Sequence, residues 1–336
     1  MNSDRHAQAA FPVLTPDTVI TLAEQQLDLR CQAICRQLNS YINRVFELET
    51  EEGQGLVIKF YRPGRWSQQA IEEADRFILE LQEHEIPVVA PLLMKDGSLA
   101  THENTLFSIF PRMGGRFLDE FSDEQWLEIG RLLGRMHRVG ATQQADNRNT
   151  LHPQRTTADQ VEFLGRGDFM PPHLQKRFHA ICSDLIELIA PMFADMETIR
   201  LHGDCHFANM IHRPDESFFL IDFDDMINGP PIQDVWMLFP SYRRDSLPEI
   251  ELFLEGYETF RSFDRRSLQL IEPLRAMRYI HYAAWCAQQS LDPGFAAQNP
   301  EWGTELYWQE EINDLASQLE RIRQEPTSAG NNPMYL

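Results

Sequence analysis

The sequence predicts an α+β fold in two parts, a small antiparallel sheet with one long helix followed by a mostly helical region. Residues 44–48 and 56–61 are rich in β-branched and aromatic side chains and flank the loop EEGQG, which is typical of a β-hairpin. Ser67 precedes a stretch with apolar residues at helical spacing. After Pro111 helical spacing of apolar residues extends through most of the chain.

The remaining elements of the first part are one helix and two strands. Thr15 followed by Pro16 favours a helix start, and this helix is expected to end near Leu27. Residues 88–92 and 106–110 are short apolar runs that predict two further strands.

The second part is expected to consist mainly of helices. Ser122 and Gln125 form a capping-box pattern before a helix that ends at Gly140. One hairpin is predicted within this part, with strands at 210–212 and 218–222. Further helices are predicted at 172–194, 247–260, 267–289 and 304–324.

These patterns divide the chain into domains. Residues 1–110 are expected to form the first domain and residues 116–325 the second. Between them, residues 111–115 end in two glycines, which favours a hinge. Residues 326–336 are rich in turn-forming residues and predict a loosely ordered tail.

Composition and charge disfavour several classes of function. The 336 residues include 51 acidic and 30 basic side chains, and the net charge of −21 disfavours binding to nucleic-acid phosphates. No apolar run reaches the roughly 18 residues that a membrane-spanning helix needs, and the first residues lack a signal-peptide pattern. The five cysteines are scattered and do not predict disulfides. We expect a cytoplasmic monomer with neither a membrane nor a nucleic-acid partner.

The segment 201–209, LHGDCHFAN, carries the densest set of chemically useful side chains. It lies in a predicted loop before the hairpin, and Asp222 ends the second hairpin strand. Asp204, Asn209 and Asp222 are expected to converge at one end of the hairpin. Carboxylate and amide oxygens are the ligands that Mg²⁺ prefers, and Mg²⁺ also binds substrate phosphates.

The same loop allows a second interpretation. The spacing His202-x-Asp204-x-His206 is also that of a transition-metal triad in a hydrolase, because imidazole nitrogens suit zinc or iron. This interpretation leaves Asn209 and Asp222 without a function, and we favour structural roles for the two histidines.

The loop resembles the catalytic loop of protein kinases, in which an Asp and an Asn have the spacing of H-R-D-x-x-x-x-N. Gly203 replaces the Arg, which makes the pattern similar to that of the aminoglycoside phosphotransferase and choline kinase branch. The resemblance implies a two-lobed protein-kinase-like fold. It implies that Asp204 accepts the proton of the acceptor hydroxyl and that Asn209 and the catalytic Asp222 hold Mg²⁺. An Asp in the downstream GPPIQD, Asp234, is implied to brace the loop.

The first part supplies a candidate ATP-binding domain. The strand VIKFY resembles the V-A-I-K strand of kinases, so Lys59 is expected to contact the α- and β-phosphates of ATP. Glu73 on the following helix is the expected partner of Lys59, with Glu72 as the alternative. Residues 106–111 are the expected hinge strand, whose backbone groups hold adenine.

The phosphate-binding turn departs from the protein-kinase pattern. No G-x-G-x-x-G is present, and residues 38–44 occupy its place. Ser40 and the backbone N–H groups beside it are expected to cap the phosphates.

Four segments are similar to the bacterial stress response kinase A family: LNSY at 38–41, KFYRP at 59–63, LHGDCH at 201–206 and IEPLRAMR at 271–278. The resemblance implies a serine/threonine protein kinase of stress survival that uses ATP and Mg²⁺ and acts on a protein substrate or on itself.

Two other functions stay open. The first is a small-molecule kinase whose acceptor is an aminoglycoside, choline, a sugar or an amino-acid hydroxyl, and the acidic charge favours a cationic acceptor. The second, a pseudokinase, is disfavoured because Lys59, Asp204, Asn209 and Asp222 are all present. Arg275 and Arg278 could face the acceptor, but we expect them to pair with acidic neighbours in a core helix.

Overall fold

The computed structural model describes residues 11–40, 42–214, 216–290 and 293–325, and it is an α+β fold with an antiparallel sheet region followed by a helical region. The predicted tail at 326–336 lies outside the described residues. The α-helices are α1 (Pro16–Leu27), α2 (Gln68–Glu83), α3 (Asp123–Gly140), α4 (Ala158–Arg166), α5 (Pro172–Ile189), α6 (Leu247–Tyr257), α7 (Ile271–Gln289), α8 (Pro293–Gln298) and α9 (Glu305–Gln324). The strands are β1 (Cys31–Leu38), β2 (Arg44–Thr50), β3 (Gly55–Phe60), β4 (Ala100–His102), β5 (Thr105–Pro111), β6 (Ile199–Leu201), β7 (Met210–Arg213), β8 (Ser217–Leu220) and β9 (Ile227–Gly229).

The chain forms two compact units. Among the described residues, the first contains those up to Phe121 together with residues 145–148 and 207–226, and the second contains residues 122–144, 149–206 and those from 227 to 325. The first unit thus includes the hairpin β7–β8, which is distant from the sheet in sequence. The hinge at residues 111–115 stays a prediction.

The first unit is built on a five-stranded sheet in the order β1-β2-β3-β5-β4, and all of its pairs are antiparallel. Alternate side chains of a strand point to opposite faces. Leu56, Ile58 and Phe60 of β3 therefore share one face, where they pack in a core with Val19 and Ala23 of α1. The opposite face presents Val57 and Lys59.

Both helices of the first unit begin as the sequence predicts. Thr15 caps α1 by accepting a hydrogen bond from the Thr18 amide, and Ser67 caps α2 by accepting one from the Ala70 amide. Apolar residues at helical spacing along α2 are buried. The ring of Phe77 packs edge to face on the ring of Phe223, with 6.0 Å between the ring centroids.

The predicted strand at residues 88–92 is wrong. This segment makes only one isolated bridge, between Val88 and Leu220; it follows Pro87 and contains Pro91. Proline has no N–H to donate to a ladder, so strand pairing stops at Pro87 and Pro91. The segment still supports β8, because the Val89 amide donates to Leu220 and the Leu220 amide donates to Pro87.

The second unit is mainly helical, as predicted. Ser122 and Gln125 form the capping box of α3. A Cβ on Gly130 or Gly134 of α3 would overlap the backbone of α6, so these glycines permit a close crossing of the two helices. Helix α7 is buried along much of its length and packs against α9.

Several short elements were not predicted. β1 and β4 complete the sheet, β6 pairs with β9 in the second unit, and α4 and α8 are short helices. These elements have three to nine residues and little periodicity. In β1, three polar residues interrupt the alternation.

Candidate active site

A cavity of about 400 Å³ lies in the first unit, on the face of the sheet opposite the α1 core. Val45 and Val57 line it from the sheet, Ile71 and Ile78 from α2, and Ile221 from the segment after β8. Its apolar walls together with charged side chains are typical of a small-molecule binding site. The predicted hinge strand at residues 106–111 contributes Phe110 and Pro111 to the wall.

Lys59 is the cationic centre of this cavity. Its Nζ lies 2.8 Å from an oxygen of Asp222 and 2.7 Å from an oxygen of Asp224. Burial by itself would lower the pKa of Lys59, but the two carboxylates outweigh it and raise this pKa well above its usual value. Lys59 is therefore a fixed positive charge that an anionic ligand can bind.

The predicted pairing of Lys59 with Glu73 is wrong. The two carboxylate oxygens of Glu73 accept hydrogen bonds of 2.8 and 2.7 Å from the amides of Asp146 and Asn147. The alternative, Glu72, accepts a hydrogen bond from Gln68 along the same helix. Glu73 therefore anchors the segment 145–148 to α2.

Asp75 is the carboxylate of α2 that lines the cavity. Its side chain is buried and accepts a hydrogen bond of 3.3 Å from Ser108, which is paired with Lys59 across β3 and β5. Burial raises the pKa of Asp75 to about 6, although Ser108 and Lys59 oppose the shift. Asp75 is thus a buried acidic group whose charge changes near neutral pH.

Asn209 and Asp222 lie at one end of the β7–β8 hairpin. Asn209 immediately precedes β7, Asp222 follows β8, and the amide of Ile221 donates to the carbonyl of Asn209 at 3.1 Å. The backbone of Asp222 is left-handed, with φ 62° and ψ 66°, a conformation that Asp tolerates better than most residues. Burial opposes ionisation of Asp222, but the positive charge of Lys59 lowers its pKa.

The donor set of this hairpin end fits a divalent cation. Asn209 offers an amide oxygen and Asp222 an ionised carboxylate, and both are hard ligands that leave positions for phosphate oxygens. The convergence of Asp204 with these two residues stays a prediction, because Asp204 belongs to the second unit.

Ser40 lines the cavity beside the end of β1. Its hydroxyl accepts a hydrogen bond of 3.3 Å from the amide of Asn43. Asn43 is buried, and its side-chain NH₂ donates to Asp224 at 2.6 Å while its oxygen accepts from the Arg62 amide at 3.1 Å. The turn at Ser40 is therefore tied to the acidic segment that holds Lys59.

In the second unit, the loop that carries Asp204 is braced by Asp234. The Asp234 side chain is fully buried and accepts hydrogen bonds of 2.8 Å from the amides of both His202 and Gly203. Oδ2 of Asp234 also lies 3.2 Å from Nε2 of His137, which is a buried residue of α3. Gly203 has φ 89°, a left-handed conformation that favours glycine and explains why Arg does not stand here.

Asp204 is held by two basic side chains. Nη1 of Arg278 lies 2.8 Å from Oδ1, and Nε2 of His206 lies 3.3 Å from Oδ2. Burial opposes the ionised form of Asp204, but the hydrogen bond from His206 and the charge of Arg278 outweigh it and lower its pKa. Asp204 is therefore a carboxylate, able to orient a hydroxyl group.

The transition-metal interpretation is not favoured. Nδ1 of His202 accepts a hydrogen bond of 3.3 Å from the Asp204 amide, which gives this buried histidine a structural role. Within the described ranges, no three His, Cys, Asp or Glu side chains are arranged to hold a metal ion.

Four residues were missed or left out in the sequence analysis: Asn43, Asp75 and Asp224 in the first unit and Arg278 in the second. Asp224 follows Asp222 in the string DFDD, so its position was a usable indication. Asp75 lies two residues after Glu73, and only the three-dimensional orientation of α2 shows which of them faces the cavity. The contact of Arg278 with Asp204 joins residues 74 positions apart, which no local pattern predicts.

Comparison with known proteins places the chain. Residues 34–271 match the model of the phosphotransferase enzyme family. The chain is 34% identical over 326 residues to stress response kinase A of Escherichia coli (strain K12), which covers 97% of this chain and 98% of that protein. It is 33% identical over the same length to a Salmonella typhimurium protein named serine/threonine protein kinase RdoA.

Solved structures share the fold at lower sequence identity. The amicoumacin kinase hAmiN, in complex with AMP-PNP and Ca²⁺, superposes with a TM-score of 0.70 at 18% identity and covers 94% of this chain and 96% of its own. A spectinomycin phosphotransferase in complex with ADP gives a TM-score of 0.66 at 14% identity over 94% of this chain and 100% of its own. These likenesses confirm the predicted protein-kinase-like fold.

Proposed function

We propose, from the premise that this chain belongs to the phosphotransferase enzyme family and within it to the stress response kinase A family, that it is a serine/threonine protein kinase. In this proposal it transfers the γ-phosphoryl group of ATP, with Mg²⁺, to a protein hydroxyl during bacterial stress. The observation that carries the proposal is the identity of 33–34% over 97% of the chain with relatives that bear these names.

The site residues support this chemistry. The cavity beside Lys59 is proposed to hold the nucleotide, with Lys59 on the α- and β-phosphates and Ser40 at the turn that caps them. Asn209 and Asp222 are the proposed ligands of Mg²⁺, which neutralises charge on the phosphates during transfer. Asp204 is the proposed group that orients the acceptor hydroxyl and accepts its proton.

The roles require little bond-making by the protein itself. Phosphoryl transfer depends mainly on position and charge neutralisation, so a fixed cation and an ionised carboxylate are the main requirements. Lys59 and Asp204 meet them, because neighbouring charges favour the ionised form of each.

No helix among the described residues is long and apolar enough to cross a bilayer. The cytoplasmic location and the monomeric state stay predictions.

A small-molecule kinase is the second candidate. Two observations favour it: structures with the same fold are named as kinases of antibiotics, and the net charge of −21 suits a cationic acceptor. We rank it second because those structures are at most 18% identical, whereas the protein-kinase relatives are nearly twice as similar.

Label transfer from γ-labelled ATP distinguishes the two candidates. The protein is incubated with Mg²⁺, a general protein substrate such as casein, and a panel of aminoglycosides, choline and sugars. We expect label on protein serine or threonine, including this protein itself. Label on small molecules alone would contradict the protein-kinase proposal.

A further inference from the structure

Arg278 holds the carboxylate that is proposed to orient the acceptor. Its guanidinium donates to Oδ1 of Asp204 at 2.8 Å, which is the shorter of the two contacts that Asp204 makes with basic side chains. The Asp204 side chain is only 21% exposed and that of Arg278 is 42% exposed. A charge-assisted contact to a mostly buried carboxylate is stronger and more directional than a surface ion pair.

The position of Arg278 is fixed by the helix that carries it. Met277, directly before it in α7, and Ile280, two residues after it, are buried. One turn further along, His281 lies 3.0 Å from the hydroxyl of Thr157. Arg278 therefore reaches the loop that carries Asp204 from a helix that is buried along much of its length.

The neighbouring arginine on the same helix has a different function. Arg275 pairs with Glu272 and donates to the carbonyl of Ser241, and its guanidinium stacks on Trp236 and Tyr242. Those contacts account for Arg275 as a structural residue. Arg278 has a guanidinium that contacts the proposed base directly.

We propose that Arg278 is a positioning residue for Asp204, which fixes Oδ1 and so aims Oδ2 at the acceptor hydroxyl. The inference rests on the proposed function, because Asp204 acts as a base that must be positioned only if the protein transfers phosphoryl groups. His206 is the group that the hydroxyl displaces from Oδ2, since its contact of 3.3 Å is the longer one.

In the proposed step, one proton and one phosphoryl group are transferred. The acceptor O–H donates its proton to Oδ2, the acceptor oxygen forms a bond to the γ-phosphorus, and the bond from that phosphorus to the β–γ bridging oxygen breaks. The electron pair leaves with ADP. Arg278 stays charged and bonded to Oδ1 throughout, so it keeps the carboxylate oriented and does not exchange a proton itself.

The test compares three variants for label transfer from γ-labelled ATP to casein, with kcat and KM measured separately. A general base contributes about 10²- to 10⁴-fold to the rate of a reaction. Arg278→Ala leaves this base in place but misaligned, so kcat is expected to fall by less, about 10- to 100-fold. KM for casein and for ATP is expected to stay within threefold. Arg278→Lys is expected to recover part of the loss, since a cation remains.

The control is Arg323→Ala. Arg323 is a helical arginine of the same unit with a side chain 43% exposed, and it pairs with Asp184 at 3.2 Å. Its loss is expected to leave kcat unchanged. Melting temperatures of all variants, with and without ATP and Mg²⁺, separate a loss of folding or nucleotide binding from a loss of positioning.

Three results would overturn the inference: a kcat of Arg278→Ala within twofold of wild type, an effect confined to the KM of the acceptor, or no recovery in a folded Arg278→Lys. Failure of the proposed function gives a different pattern. The wild-type protein would then label no protein substrate. The kcat of Arg278→Ala is in that case compared with wild type on the small alcohol that takes the label, and a kcat within twofold of wild type again overturns the inference.

Discussion

Replacing Asp234 by Asn should destabilise the second unit and disable the loop that carries Asp204. Oδ2 of Asp234 accepts from the His202 amide and lies near His137, and Oδ1 accepts from the Gly203 amide. Asn has one oxygen and one NH₂ group, so its NH₂ faces either the Gly203 or the His202 N–H. One buried amide then loses its acceptor, at a cost of about 1–3 kcal/mol.

Asp234→Asn should lower activity as well as stability. A loop displaced by about 1 Å can lower a rate about 10²-fold, and Asp204 follows directly after Gly203. Urea unfolding gives the free energy of unfolding, and label transfer gives kcat. The control is Asp184→Asn, because Asp184 is an exposed partner of Arg323. A stability change below 0.5 kcal/mol together with a wild-type kcat for Asp234→Asn would refute the bracing role.

Three further predictions concern the first unit. Lys59→Met should lower kcat/KM for ATP about 10²-fold or more, because the cation that faces Asp222 and Asp224 is lost. Steady-state kinetics against ATP measures this ratio, and an unchanged value would contradict the role of Lys59 in phosphate binding. Asp75→Asn should raise the free energy of unfolding at pH 8 and have no effect near pH 3. The pKa of Asp75 in the folded protein is about 6, about two units above its usual 3.8. The charged form therefore lowers the free energy of unfolding by up to about 3 kcal/mol above pH 6, and this loss vanishes below pH 4. Equal effects of Asp75→Asn at both pH values would contradict this. Asn43→Ala should lower the free energy of unfolding by about 1–3 kcal/mol and raise the KM for ATP, because it removes the hydrogen bond that ties the Ser40 turn to Asp224. Urea unfolding and steady-state kinetics against ATP measure the two effects. An unchanged KM would show that other contacts hold the turn.

Local patterns predicted the long elements of the fold. Helix starts at Thr15, Ser67 and Ser122 are confirmed because a cap needs only a side chain and an amide two or three residues later. The strand at residues 88–92 failed because apolar composition alone does not show that prolines block pairing. β1 was missed because its polar residues hide the alternation of a strand, although it pairs with β2, the next strand along the chain.

The site shows the same division between local and distant information. Asp204, Asn209 and Asp222 stand in short motifs, so the sequence was enough to select them, although their roles stay predictions. The partner of Lys59 was mistaken because its carboxylates, Asp222 and Asp224, lie more than 160 residues further along the chain and not on α2. Contacts such as Arg278 to Asp204 and Asn43 to Asp224 connect separate elements, and only the folded chain brings them together.

Phosphoamino-acid analysis after incubation with γ-labelled ATP and Mg²⁺ tests the central claim most directly. Wild-type protein should place label on serine or threonine of itself or of casein, and Asp204→Asn should reduce that label by at least 10²-fold while ATP binding, measured by thermal shift, is retained. The claim is contradicted if wild type puts no label on protein, or if Asp204→Asn labels serine and threonine as fast as wild type.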